Sequence, residues 1–257
     1  MMLDAGEEAR DAGTHPDGEG QEGRVSDIYL NFHGLGAPPP DVGDDERPYW
    51  ITPGRFQAIL RFIRDQGCAG RVRITFDDGN RSDVTIALPM LEVFEQRAAF
   101  FVVSDRIGAP SYLGAADIAR LRDAGMAIGS HGAAHVAWTT LHDAELTTQV
   151  ARSLQILSGL IGHPVTEVAV PFGEYDRRVL GVLRRLGVMR VYTSDSGVTQ
   201  PQAWLTGRNT LRMDMPLESI EALVTRSIQP AQRLRQSVRR LASRLRLSPA
   251  SSTLSHG

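Results

Sequence analysis

The chain has 257 residues, a formal net charge of -2 and a single cysteine, Cys68. This length suits one large domain or two small ones, and a charge near zero argues against a protein that binds nucleic acid through a basic surface. One cysteine rules out a disulfide within the chain and favours a reducing compartment. Because the N-terminus lacks the pattern of a signal peptide and no run of about 18 apolar residues occurs, we expect a cytoplasmic protein.

The composition divides the chain into three regions. Residues 1–24 are rich in glycine and acidic residues and have few apolar ones, so we expect a disordered acidic tail. Residues 25–228 have the periodic apolar pattern of a folded domain. Residues 229–257 are predicted to form a basic amphipathic helix and a polar tail, because six arginines and no acidic residue accompany apolar residues at helical spacing. This helix either lies on an anionic membrane surface or packs its apolar side on the domain.

The folded region begins with a strand over residues 25–32, followed by a Pro-rich loop. A helix is predicted to begin at Pro53, because Thr52 is a favourable N-cap and proline fits the first turn. Strands and helices then alternate, with strands over 71–76, 98–103, 126–129, 165–170 and 188–192 and helices over 83–96, 115–123, 143–160 and 177–186. Such alternation implies parallel strands and right-handed crossovers. About seven units favour a distorted (β/α)7-type barrel, and an open doubly wound sheet is the alternative.

Polar side chains follow most of the predicted strands. In parallel α/β folds the active groups gather where the strands end, at their carboxyl ends. We therefore expect these groups to share one rim: His33, Asp77, Asp78, the segment from His131 to His135, the segment from Pro171 to Gly173, and Asp195.

The pair His131 and His135 and the pair Asp77 and Asp78 suggest a metal site. A spacing of four residues on a helical turn aims two imidazoles at one point, although such pairs also arise by chance on surfaces. Adjacent carboxylates at a strand end point in different directions, so one can bind a metal while the other acts as a base; Asp-Asp-Gly is also common in plain turns. Two histidines and one carboxylate leave a zinc ion room for water, and a second carboxylate can take a proton from that water.

The segments TFDDG at 75–79, HGAAH at 131–135 and PFG at 171–173 resemble the first three motifs of the polysaccharide deacetylases, the NodB-homology carbohydrate esterases of family 4. The resemblance covers roughly residues 25–225. It implies a hydrolase that removes N-acetyl groups from sugars with a divalent metal, with zinc as the first expectation and cobalt or nickel as alternatives. It also implies that Asp77 is the general base and that Asp78, His131 and His135 bind the metal.

The family's acid is usually a histidine in a Leu-x-His motif near the C-terminus, and this chain lacks one there. In a circularly permuted branch of the family, the corresponding strand stands at the N-terminus, and the segment LNFHG at 30–34 resembles it. We therefore predict that His33 is the general acid. The alternative is that His33 is a turn residue that orders its loop.

Other positions depart from the family pattern. Ala169 stands where the family often has an arginine that orients the base, and Arg208 is the predicted replacement. Asp195 is the candidate for the aspartate that tunes the acid, and Trp204 for the aromatic residue of the pocket. Gly132 stands where serine or threonine is common. In the third motif, Pro171, Phe172 and Gly173 are predicted to line the substrate site, with a backbone N–H near Phe172 or Gly173 facing the oxyanion.

The predicted function is removal of N-acetyl groups from N-acetylated sugars or polysaccharide intermediates, with release of acetate. One alternative keeps the metal site but hydrolyses another amide, an imide or an O-acetyl ester. A second alternative is a catalytically impaired protein that binds glycan in an exopolysaccharide pathway. The expected partner is a carbohydrate substrate, without nucleic acid and with membrane contact only through the Arg-rich C-terminal helix.

Overall fold

The computed structural model of the protein describes residues 26–68 and 70–225. A single sheet forms its centre, and the strands in chain order are β1 Asp27–Phe32, β2 Val72–Phe76, β3 Ala98–Val102, β4 Ala127–Ser130, β5 Glu167–Ala169, β6 Arg190–Thr193, β7 Val198–Thr199, β8 Leu205–Gly207 and β9 Asn209–Thr210. The strands β1 to β6 are neighbours in chain order, and each pairs in parallel with the next. This is the parallel arrangement that the alternating pattern predicted.

Helices connect the strands and cover the outside of the sheet. They are α1 Pro53–Asp65, α2 Leu88–Val93, α3 Ala115–Asp123, α4 Asp143–Ile161, α5 Arg177–Arg185 and α6 Leu217–Thr225. The predicted start of α1 is confirmed, because the Thr52 side chain accepts a hydrogen bond from the Arg55 N–H. The helix predicted over 83–96 is divided into a π-helical segment at Asp83–Ala87 and the short α2. Pro89 lies in the first turn of α2 and cannot donate a backbone hydrogen bond, which accounts for the change of pitch.

The sheet closes into a barrel through the last strands. β8 pairs in parallel with β6, whereas β9, which follows after a single residue, pairs in parallel with β1. The segment therefore crosses from one edge of the sheet to the other, with Arg208 at the crossing point. The predicted distorted barrel is confirmed, and the open doubly wound sheet is excluded. β7 to β9 are only two or three residues long, and for this reason the apolar pattern did not predict them.

Alternate residues of the strands face two different layers. Outside the sheet, Phe32, Phe76 and Phe100 stack in sequence, and Phe56 of α1 packs edge-on against the first two. Inside the barrel, the apolar residues are Tyr29, Phe101, Ala169 and Tyr192. The outer layer holds the helices on the sheet, and the inner layer forms the floor beneath the carboxyl ends of the strands.

Two predicted regions lie outside the described residues, namely the acidic tail at 1–24 and the basic segment at 229–257. Within residues 26–68 and 70–225, no helix combines the length and the apolar character that a membrane span requires.

Replacing Phe56 with alanine should lower the free energy of unfolding by about 3–5 kcal/mol, because the ring is fully buried between two others and its loss leaves a cavity. Urea unfolding monitored by circular dichroism would measure the loss. Val93→Ala is the control, since Val93 is 76% exposed and should change stability by less than about 0.5 kcal/mol. Equal losses in the two variants would contradict the assigned core.

Candidate active site

The register of the strands brings the predicted polar residues to one rim of the barrel. Phe32 of β1 pairs with Phe76 of β2, so His33 and Asp77 follow at the same level. The His131 N–H donates to the Val102 carbonyl, which sets the histidine segment directly beyond β3 and β4. The backbone pairing thus delivers residues that are far apart in the sequence to one end of the sheet.

Asp77 is held by a buried bidentate ion pair with Arg208. The Arg208 NH1 and NH2 groups each donate to one carboxylate oxygen at 2.7 Å, and Arg208 is 0% exposed. Asn31 donates to the same carboxylate at 2.9 Å and accepts from Arg208 at 2.8 Å. Thr75 donates to the Asn31 side-chain oxygen at 2.7 Å. The guanidinium lies 5.4 Å from the centre of the Phe101 ring, so this polar network stands on the aromatic floor of the barrel.

This ion pair controls the charge of Asp77. Burial by itself would raise the pKa of the carboxyl group, but the charge of Arg208, with a smaller effect from His131, lowers that pKa well below its usual range. Asp77 is therefore ionised at neutral pH. The unprotonated form is the one that a general base requires, although the same pairing reduces its basicity.

Asp78, His131 and His135 converge beside this network. One ligand atom from each lies within 4.8 Å of the others. Asp78 Oδ1 is 3.6 Å from His131 Nε2 and 3.4 Å from His135 Nε2. In the described part of the chain this buried oxygen has no hydrogen-bond partner, as expected for a carboxylate that binds a cation instead. Two imidazole nitrogens and one carboxylate oxygen can hold a divalent metal and leave coordination positions open.

The outer nitrogens of the two imidazoles contact other groups. His131 Nδ1 lies 3.0 Å from the Ala169 carbonyl, to which it donates when Nε2 is unprotonated. Burial lowers the pKa of His131 to about 4, so its ring is neutral at physiological pH. His135 Nδ1 lies 3.3 Å from a carboxylate oxygen of Glu46. Burial by itself would raise the pKa of Glu46, but hydrogen bonds with His135 and Arg106 lower that pKa to about 2. Neutral imidazoles are the form that binds metals.

Two non-glycine residues of the site have left-handed backbone conformations. Asp78 has a φ of 77° and Phe172 a φ of 58°. Such conformations cost of the order of 1–3 kcal/mol and persist where the surroundings impose them. Both lie in the segments that follow strands, Asp78 two residues beyond β2 and Phe172 three residues beyond β5, and both line the cavity at the rim.

A cavity of about 360 Å³ opens above these groups. Besides the predicted residues His33 and Phe172, it is lined by Asp45, Glu46, Tyr49, Ser194, Ser196, Thr210 and Arg212. The His33 ring lies 4.9 Å from the Tyr49 ring, and the Phe172 ring 4.5 Å from the His135 ring. A concave site with aromatic walls and a few converging polar groups is the usual form of a small-molecule site.

The structure does not bring Asp195 and Trp204 into the cavity. Asp195 accepts hydrogen bonds from the hydroxyls of Tyr175 and Thr193, and within the described residues it has none with His33. The Trp204 indole donates to the Val188 carbonyl and stacks under Arg184 on the outside of the sheet. The aromatic residues of the cavity are instead Tyr49 and Phe172.

In the third motif, Pro171 is buried and the Gly173 N–H is already bonded to a carbonyl, which leaves the Phe172 N–H as the oxyanion candidate.

Several site residues were not predicted from the sequence. Asn31 and Thr75 were missed, although both are polar residues in otherwise apolar strands, at positions that share a face with His33 and Asp77. Glu46 and Arg106 lie in loops 60 residues apart and form an ion pair at 2.9 Å. No local pattern indicates that these two meet.

Comparison with known proteins agrees with this geometry. Residues 64–191 match the family model described as Polysaccharide deacetylase. YxkH of Bacillus subtilis (strain 168), a curated protein named for the same family, is 25% identical over 148 residues, which make up 57% of this chain and 52% of YxkH. The match therefore spans about half the length of that relative.

Solved structures share the fold. The Streptococcus pyogenes deacetylase PplD in complex with acetate has a TM-score of 0.69 at 18% identity, covering 79% of this chain and 100% of PplD. IcaB from Ammonifex degensii has a TM-score of 0.67 at 22% identity, covering 79% of this chain and 98% of IcaB. At these identities the likeness establishes a common barrel.

Arg208→Met should lower the free energy of unfolding of the metal-free protein by about 3–5 kcal/mol, because it leaves the buried Asp77 carboxylate without a counter-charge. Adding Asp77→Asn to Arg208→Met should recover much of that loss, because the remaining buried groups are neutral. Urea unfolding of the wild type, the two single variants and the double variant gives the coupling energy. Additive losses would show that the two side chains do not interact.

Proposed function

Because residues 64–191 make this chain a member of the polysaccharide deacetylase family, we propose that it removes acetyl groups from N-acetylated sugars or polysaccharide intermediates with a bound divalent metal. The observation that carries the proposal is the convergence of Asp78, His131 and His135 beside the Arg208-bound carboxylate of Asp77. PplD, which has the same fold, is a deacetylase solved with acetate. The size of the cavity and its aromatic walls suit an acetylated sugar.

The residues that would hold the metal are Asp78, His131 and His135. The unpartnered buried Oδ1 of Asp78 and two imidazole nitrogens fit a borderline ion such as zinc, and cobalt or nickel accept the same donors. When bound, the ion supplies Lewis acidity, which lowers the pKa of water and polarises the acyl oxygen.

The remaining steps belong to side chains and backbone of this chain. Asp77 takes a proton from the attacking water while Arg208 and Asn31 keep its carboxylate in one orientation. The Phe172 N–H, at a strained turn on the rim, stabilises negative charge on the acetyl oxygen. His33 then gives a proton to the sugar nitrogen, which is otherwise a poor leaving group. An acid at the residue that follows β1 is consistent with the permuted arrangement, which remains part of the proposal.

The proposal is tested by incubating the protein, with its metal content measured, with N-acetylglucosamine oligomers and quantifying acetate. We expect acetate release that stops on chelation and returns when zinc is added. A protein that binds zinc and releases acetate from acetyl esters but not from these oligomers would move the assignment to an esterase. A protein that releases acetate from neither would be a binding protein.

Asp77→Asn should reduce acetate release by roughly 10²–10⁴-fold, because the amide cannot accept the proton from water. The metal should still bind, since Asp77 is not among the three proposed ligands. Turnover and zinc content are measured on the same preparation. Asp65→Asn, the same substitution at an exposed position, should leave turnover unchanged. Full turnover in the Asp77 variant would remove this residue from the base role.

His33→Gln should slow hydrolysis more for substrates with strongly basic leaving groups than for substrates with weakly basic ones. Acetate release from an N-acetyl sugar should fall by roughly 10²–10⁴-fold, because an amine must be protonated to leave. Hydrolysis of an aryl acetate should change far less, because a phenolate leaves without a proton. His142→Gln is the surface control, at the exposed N-cap of α4. An equal loss on both substrates would assign His33 to ordering its loop.

A further inference from the structure

The loop between β1 and α1 brings a carboxylate to the outer side of His135. Glu46 in this loop has a side chain only 15% exposed. The ends of the loop are tied together, since the Gly36 N–H donates to the Ile51 carbonyl and the Ile51 N–H to the Gly34 carbonyl. The Trp50 ring packs directly on Gly34, so closely that a Cβ at this position would lie 2.1 Å from the ring. The loop is therefore fixed at its base, and Glu46 has a defined position.

His135 Nδ1 lies between two groups with opposite demands. It is 3.3 Å from Glu46 Oε1, an acceptor, and 3.3 Å from Arg106 NH2, a donor. A neutral imidazole has one protonated and one unprotonated nitrogen. If Nδ1 donates to Glu46, then Nε2 has a free lone pair that faces Asp78 Oδ1 at 3.4 Å. If Nδ1 accepts from Arg106, then Nε2 carries the proton and cannot bind a metal.

We propose that Glu46 is a positioning residue that holds His135 in the tautomer that binds metal. The inference rests on the metal site of the proposed function. Glu46 also accepts from Arg106 NH2 at 2.9 Å, which engages the competing donor. The Arg106 guanidinium is in turn held over the Tyr112 ring at 4.8 Å. The Glu46 carboxylate thus can accept the hydrogen bond from Nδ1–H and also directs one of the two N–H donors of Arg106 NH2 away from Nδ1.

The pairing of charges supports this role. Asp77 is paired with Arg208 and Glu46 with Arg106, whereas the buried Asp78 Oδ1 has no hydrogen-bond partner among the described residues and is available to a cation. Arg106 NH1 is 4.0 Å from Asp78 Oδ1, so removing Arg106 would also remove a repulsion of the metal. A substitution of Arg106 would therefore mix two effects, and Glu46 is the informative position.

The test compares zinc affinity in the wild type, Glu46→Ala, Glu46→Gln and Asp44→Ala. Each protein is freed of metal and titrated with zinc against a chromophoric chelator. We expect Glu46→Ala to weaken zinc binding by roughly 10- to 100-fold. Glu46→Gln should lose less, because its amide oxygen can still accept from Nδ1. Asp44→Ala removes the same charge from the same loop at an exposed residue that pairs with Arg47, and should bind zinc like the wild type.

Proton NMR of the zinc-bound proteins gives a second readout. With histidine labelled by ¹⁵N, the wild type should show a slowly exchanging His135 Nδ1–H signal that is lost in Glu46→Ala. Unchanged zinc affinity in Glu46→Ala, or an equal loss in Asp44→Ala, would overturn the proposal. If thermal unfolding shows that Glu46→Ala is not folded without metal, Glu46→Gln decides, and wild-type zinc affinity in that variant without the slowly exchanging His135 Nδ1–H signal is the overturning result. A wild type that binds zinc but deacetylates nothing would refute the proposed function alone.

Discussion

The structure depends on one buried ion pair, that between Arg208 and Asp77. A carboxylate at 3% exposure is stable in its charged form only when a cation and further donors replace water, and Arg208 and Asn31 do so here. The Arg208 guanidinium in turn lies over the aromatic rings of Phe101 and Tyr192. This arrangement fixes the direction of the Asp77 carboxylate within the barrel. It also separates Asp77 from its neighbour Asp78, which the backbone turns toward the histidines through a left-handed conformation.

Adjacent acids with different partners divide the chemistry of the site. Asp77 has its charge matched by an arginine, whereas Asp78 Oδ1 has no hydrogen-bond partner in the described residues and faces two Nε2 atoms. A site with all its carboxylates paired would have little attraction for a divalent ion, and one with none paired would bind a cation at several competing positions. The two arginines, Arg208 and Arg106, therefore determine where a cation is attracted, although neither contacts it as a ligand.

The sequence predicted the parts of this protein that depend on periodic patterns. The six main strands and α1 to α5 follow from apolar spacing and caps, and the rim follows from the rule that parallel strands end together. Residues Asp78, His131 and His135 were predicted as one group, and the structure places them together. What could not be predicted depends on tertiary geometry. Strands of two or three residues have no measurable period, and Glu46 meets Arg106 only through the shape of two loops. Trp204 precedes β8, and its contacts with Val188 and Arg184 outside the sheet have no signal in the local sequence.

The segment that closes the barrel consists of β8, Arg208 and β9, and it is synthesised after the first six strands. This order of synthesis affects the charge balance of the barrel interior. The first six strands are complete on the ribosome before residue 208 exists, so the nascent sheet contains Asp77 without its cation. Closing the ring at that stage would enclose an uncompensated charge, which is costly. The growing domain is therefore favoured to remain open and hydrated at that edge. The segment that closes the ring is the same one that neutralises its interior.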